Sequence, residues 1–167
     1  MPATEYKKAI LAALAATLGP AGFRKGGSVF KRDRKDVVHL LSLQSSTEST
    51  ADSLRVTVNL AIWVEALADE RTKPDVAASQ WRQRIGFLLP VHQDYWWIAR
   101  SDAEARSVAS EICDAVVKHG LPALDALSST ADLAVLWEST RSPGLTAIQA
   151  HRYLACLREK AAEANLM

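Results

Sequence analysis

Leu54–Trp63, LRVTVNLAIW, is the stretch whose reading decides the fold. Leu54, Val56, Val58, Leu60 and Ile62 hold alternate positions, and Arg55, Thr57, Asn59, Ala61 and Trp63 hold the others. Successive side chains of a strand point to opposite faces, so this alternation predicts a strand with one face in the core and the other mostly wet. A strand of a doubly covered parallel sheet would be apolar throughout, so an antiparallel sheet is expected.

Outward from that strand, Val37–Gln44 (VVHLLSLQ) and Ser28–Arg32 are predicted as two more strands, joined through the charged turn Asp33–Asp36. No Asn-Gly or Asp-Gly pair sets the turn type of this hairpin. Ser45–Ser53 (SSTESTADS) lacks apolar anchors and is expected to be a mobile surface loop. Beyond Trp63, Gln80–Leu89 is expected as a short helix ending before Pro90. Asp94–Arg100 (DYWWIAR) is expected as a fourth strand, with Trp96 and Trp97 on opposite faces.

Both ends of the chain are helical in pattern. Tyr6, Ile10, Leu14 and Leu18 repeat every four residues, which predicts a helix over Glu5–Leu18 with Thr4 as N-cap and Gly19-Pro20 as stop. Ser101 and Glu104 form a capping box ahead of the stripe Val108, Ile112 and Val116. Short helical turns follow at Leu121–Leu127 and at Asp132–Glu138, the latter capped from Ser129 or Thr130. Ser142-Pro143 is expected to open a last helix through Ile148, Leu154 and Leu157. This segregation of elements predicts an α+β domain: an antiparallel sheet of three to four strands packed on one side by an N-terminal helix and several C-terminal helices.

At 167 residues, the chain suits one domain, 1–167, with a substantial core. Apolar residues make up 49% and charged residues 23%, which is ordinary globular usage. Apolar runs are too short to span a bilayer, so no membrane is expected, and the N-terminal stretch lacks the cleavage site of a secretory signal. Cys113 and Cys156 lie inside helical patterns and suit a reducing cytoplasm. A net charge of +1 gives no global field for nucleic acid, although Arg24, Lys25, Lys31, Arg32, Arg34 and Lys35, against Asp33 and Asp36, make a local +4.

In order along the chain, LGPAGFRKGGSVFKR, VVHLLSLQ, VTVNLAI, WRQRIGFLLP, DYWW and HGLPALDAL resemble the pattern of the bacterial DUF4304 domain family over about residues 5–128. No activity is established for that family, so the resemblance implies a fold and no reaction. Residues 129–167 are then expected as a helical extension packed on the family-like core.

Few side chains point to chemistry. His39, His92, His119 and His151 form no HxH or HExxH spacing, so neither metal nor cofactor is expected. There is no Gly-x-Ser-x-Gly elbow and no phosphate loop. His92 and Asp94 share a loop that His39 could approach from an adjoining strand; the plainer reading of His92 is a solvated loop histidine. Arg84 is placed to pair with Asp94. Of five tryptophans, Trp63, Trp96 and Trp97 flank strands, and any that are exposed would mark a recognition surface. At least two of the three are expected in the core.

The leading expectation is therefore a non-catalytic cytoplasmic binding module, monomeric or weakly homodimeric, that takes a protein or small ligand through Trp63, Trp96, Trp97, Arg84, Asp94, His39 and His92. A neutralising, immunity-type protein is one version of it. The alternative is a hydrolase or nuclease using His39, His92 and Asp94. A third and weaker reading is nucleic-acid binding through the basic hairpin 24–35, against which a solvated, aggregation-resistant edge is the simpler account.

Overall fold

A computed structural model describes residues 2–69, 71–139 and 141–166. Helix α1 (Pro2–Leu18) is followed by strands β1 (Arg24–Gly26), β2 (Val29–Asp33), β3 (Val38–Ser45), β4 (Leu54–Trp63), β5 (Trp81–Arg84) and β6 (Trp97–Ala99). Helices α2 (Asp102–Ala115), α3 (Leu121–Asp125), α4 (Thr130–Glu138) and α5 (Ala147–Leu166) complete it. This is the expected α+β architecture, built on a sheet of six strands rather than three or four. All pairings are antiparallel in the order β1-β2-β3-β4, and β5 and β6 share the far edge of β4 end to end.

The alternation in β4 sorts the sheet into two faces. Leu54, Val56, Val58, Leu60 and Ile62 are all buried beneath helices. Tyr6, Ile10, Leu14 and Leu18 of α1 lie in the same core, as do Val108 and Ile112 of α2. Trp137 of α4 and Leu154 of α5 join it, so the C-terminal helices close the same apolar mass. Trp137 is wholly buried and donates from its indole nitrogen to Ser142 Oγ at 3.2 Å, which satisfies its one donor.

Several boundaries differ from expectation for local reasons. The helix α1 begins at Pro2, where proline suits a first turn, and Thr4 lies inside it rather than capping it. The Ala3 amide donates to the Ala51 carbonyl at 3.0 Å. The Ser45–Ser53 loop is thus tied to α1, and Ser49 bonds both the amide and the carbonyl of Arg55. Gly27, at φ 62°, opens a tight turn between β1 and β2, a hairpin that the sequence reading did not separate. Helix α5 starts at Ala147 through a capping box between Thr146 and Gln149, not at Ser142-Pro143, and Ile148 is exposed.

The predicted helix over Gln80–Leu89 is instead strand β5 and a single 3-10 turn, Ile85–Phe87. Trp81, Ile85 and Leu88 have helical spacing, but the free edge of β4 offers Asn59–Ile62 as pairing partners and that tertiary contact prevails. Next to the pairing, Gln80 Oε1 accepts from the Val64 amide at 2.7 Å.

Candidate functional site

On the sheet face away from the helices, the strand registers define rows of neighbours. Gly26, Val29, Ser42, Asn59 and Arg84 form one row, and Arg24, Lys31, Leu40, Ala61 and Arg82 form the next. The segment after β4 folds over half of this face. Val76 and Ala68 cover Leu40, Ala61 and Trp63 in a second, small apolar cluster. Trp63 is therefore 3% exposed although it sits on the polar phase of β4.

The uncovered half is a groove of about 650 Å3. Val29, Ser42, Asn59 and Arg84 line its floor, and Val76 and Phe87 stand at its sides. Val29 also borders a neighbouring hollow of about 230 Å3, rimmed by Arg24, Lys25, Lys31 and Pro74. A cavity of several hundred Å3 with apolar walls and a few fixed polar groups has the form of a ligand site.

A polar ladder stiffens one end of the groove. Arg84 Nη1 donates to Asp94 at 3.0 Å and its Nε to Asn59 Oδ1 at 3.3 Å. Asn59 in turn donates to Gln44 Oε1 at 2.7 Å. Asp94 also accepts from the Trp96 indole nitrogen at 3.1 Å. The guanidiniums of Arg84 and Arg55 stand over the Trp96 ring at 5.2 and 5.3 Å from its centroid, and Arg55 pairs with Glu48. The loop that carries Asp94 and Trp96 reaches Arg84 because Gly86 has no side chain. A Cβ there would lie 2.2 Å from the Gln93 carbonyl oxygen and 2.6 Å from the Tyr95 amide nitrogen.

The other predicted residues disperse. Trp97 is 5% exposed, in the core, with the Tyr95 ring edge-on at 4.9 Å. Trp96 alone of the three tryptophans that flank strands is half-exposed. His39 pairs with Ile62 on the helix-covered face, so the sheet itself separates it from Asp94. His92, at φ 48°, is an exposed loop residue whose Nδ1–H donates to the Phe87 carbonyl at 2.8 Å. The convergence of His39, His92 and Asp94 that the alternative hydrolase or nuclease reading needs is thus not formed. Among the described residues, no group of three or more His, Cys, Asp or Glu is arranged to hold a metal ion.

His39 belongs to a buried polar cluster. Its Nε2–H donates to the Leu127 carbonyl at 2.9 Å, which leaves Nδ1 to accept from Arg32 Nη2 at 2.8 Å. Burial, the largest cause, pushes the His39 pKa down to about 4; the nearby Arg32 and Arg34 act the same way, against the Leu127 bond. Arg32 also donates to Asp125 at 2.6 Å and to the Ala21 carbonyl at 3.1 Å, and it lies over Phe23 at 4.5 Å. Burial lowers its pKa from the ordinary arginine value.

The basic hairpin is accordingly not one surface. Arg32 is 5% exposed, Arg34 leans on Asp125 at 3.6 Å, and Arg24 pairs with Asp33 at 3.3 Å. Lys25, Lys31 and Lys35 carry the remaining positive charge, and only Lys25 and Lys31 border the hollow beside the groove. The turn also docks: Asp36 accepts from both the amide and the hydroxyl of Thr130 at the start of α4.

Sequence reasoning missed Val29, Ser42, Gln44, Asn59, Arg82 and Phe87 as groove residues. The signal existed for Ser42 and Gln44, which alternate with Leu41 and Leu43, but only the register sets them beside Asn59 and Arg84.

Together these features define an α+β domain with one sheet face buried under helices and the other half open. The chain belongs to the family described as a domain of unknown function, DUF4304, whose model matches residues 14–126. Neither the curated proteins nor the solved structures compared with it give a match. The matched span holds all six strands and every groove residue named here. No described helix is long and apolar enough to cross a membrane.

Proposed function

We propose that this protein is a non-catalytic, cytoplasmic binding module that takes its ligand in the open groove of the sheet. One observation carries the reading: a cavity of about 650 Å3 whose polar end is held in place by Asn59, Arg84, Asp94 and Trp96. A site fixed before binding loses less conformational freedom when the ligand arrives. The occupant is a segment of another protein or a small molecule, and a bacterial protein that neutralises its target by masking it would use such a face. The free thiols Cys113 and Cys156 agree with a reducing compartment. The test is affinity capture from the native host with the intact chain and with Ser42→Trp, which fills the groove floor. The wild type should retain a partner that the folded variant loses. Equal retention by both proteins removes the groove from consideration.

A further inference from the structure

We infer that the groove holds an extended, acidic peptide segment of a partner protein, lying across the strands with its carboxylates at the end beyond Val29. This rests on the groove being a binding site at all. The floor row Gly26–Val29–Ser42–Asn59–Arg84 crosses five strands. At about 4.8 Å between strands, that is about 19 Å, the length of roughly six extended residues at about 3.3 Å each.

Charge distinguishes the ends. Lys31 and Lys25 border the hollow that continues the groove past Val29, and Arg82 lines the opposite end. None of these three has a carboxylate within salt-bridge distance among the described residues. Two of the acidic groups nearby are already paired. Asp94 holds Arg84 and Glu48 holds Arg55, whereas Asp75, bonded to the Ala78 amide, lines the groove and offsets the charge of Arg82. The surplus is therefore positive at the Lys25 and Lys31 end, while Val29, Val76 and Phe87 give the groove apolar walls.

A nucleic-acid strand fits less well. It needs aromatic faces on which bases can stack. Trp96, the half-exposed tryptophan on this face, is already stacked by Arg55 and Arg84. The Phe87 ring is engaged edge-on by His92 at 6.3 Å.

The test is fluorescence anisotropy of the intact protein with three labelled probes at low salt: the hexapeptide Glu-Glu-Leu-Val-Glu-Glu, its lysine counterpart Lys-Lys-Leu-Val-Lys-Lys, and a six-nucleotide oligothymidylate. The acidic peptide should bind saturably and at least tenfold more tightly than either other probe. Lys25→Glu and Lys31→Glu should each weaken it at least fivefold, with the circular dichroism unchanged. Lys8→Glu, on the exposed side of α1, should leave it as it was. Equal binding of the oligothymidylate overturns the peptide in favour of a general anion surface. Absence of acidic-peptide binding, while Ser42→Trp still abolishes capture of a native partner, overturns the acidic class and keeps the groove. Failure of both experiments removes the site altogether.

Discussion

At the scale of single residues, the most consequential side chain for stability is His39. It is fully buried, neutral, and bonded through both ring nitrogens. With a folded pKa of about 4 against an ordinary 6.5, the unfolded chain binds the proton more tightly than the folded one. Stability from this residue is thus fully present above about pH 6.5 and is lost as the pH falls through the folded pKa. The loss should reach about 3 kcal/mol near pH 4, at about 1.4 kcal/mol per pKa unit. Urea unfolding between pH 4 and 8 should show that slope, and His39→Gln, which cannot titrate, should flatten it even if it is less stable at pH 7. An unchanged slope in the variant would assign the acid sensitivity to other groups. None of this was legible from the sequence, where His39 is one histidine inside VVHLLSLQ. Its partners Arg32 and Leu127, and the Asp125 that holds Arg32, come from β2 and from α3 and just beyond it, and only the three-dimensional fold assembles them.

At the scale of elements, legibility followed the range of the forces involved. The helix stripe Tyr6–Ile10–Leu14–Leu18 and the alternation of β4 are set by burial of neighbouring positions within one element, and both were legible. The segment WRQRIGFLLP was not, because its spacing suits a helix while β4 supplies a pairing edge from elsewhere in the chain. The same distant partner explains Gly86. Its position after β5 makes sense only once residues 93–95 pass over it, at distances no Cβ tolerates. Gly86→Ala must therefore move backbone rather than a flexible side chain. Overpacking of this kind costs about 2–3 kcal/mol. The displaced Asp94 should also release Arg84 and weaken the polar end of the groove. Chemical denaturation gives the first effect. Trp96 fluorescence, in a background where the other tryptophans are phenylalanine, gives the second. A variant as stable as the wild type would mean that the crossing of residues 93–95 over β5 is looser than described.

At the scale of the whole molecule, one sheet serves two purposes because its faces are physically independent. The helix-covered face binds the chain to itself through apolar burial, and the half-open face has polar groups fixed by one another. Adjacent residues of β4 should then behave in opposite ways. Val58 is wholly buried among the helices, and Val58→Ala removes two methyl groups that the surrounding core cannot replace. The expected cost is about 2 kcal/mol in urea denaturation, by comparison with other large-to-small core changes, with no direct effect on a ligand across the sheet. Asn59 points the other way, where it donates to Gln44 and accepts from Arg84 at the solvent-facing groove floor. Water can replace those bonds, so Asn59→Ala should cost no more than about 1 kcal/mol. It should nevertheless lower affinity for a groove ligand about tenfold, because Arg84 and Gln44 lose the residue that aligns them. Stability and anisotropy titrations on the two variants would cross over if the faces are separate. Parallel losses in both measurements from both substitutions would mean that the groove is only a surface expression of core packing, with no binding role of its own.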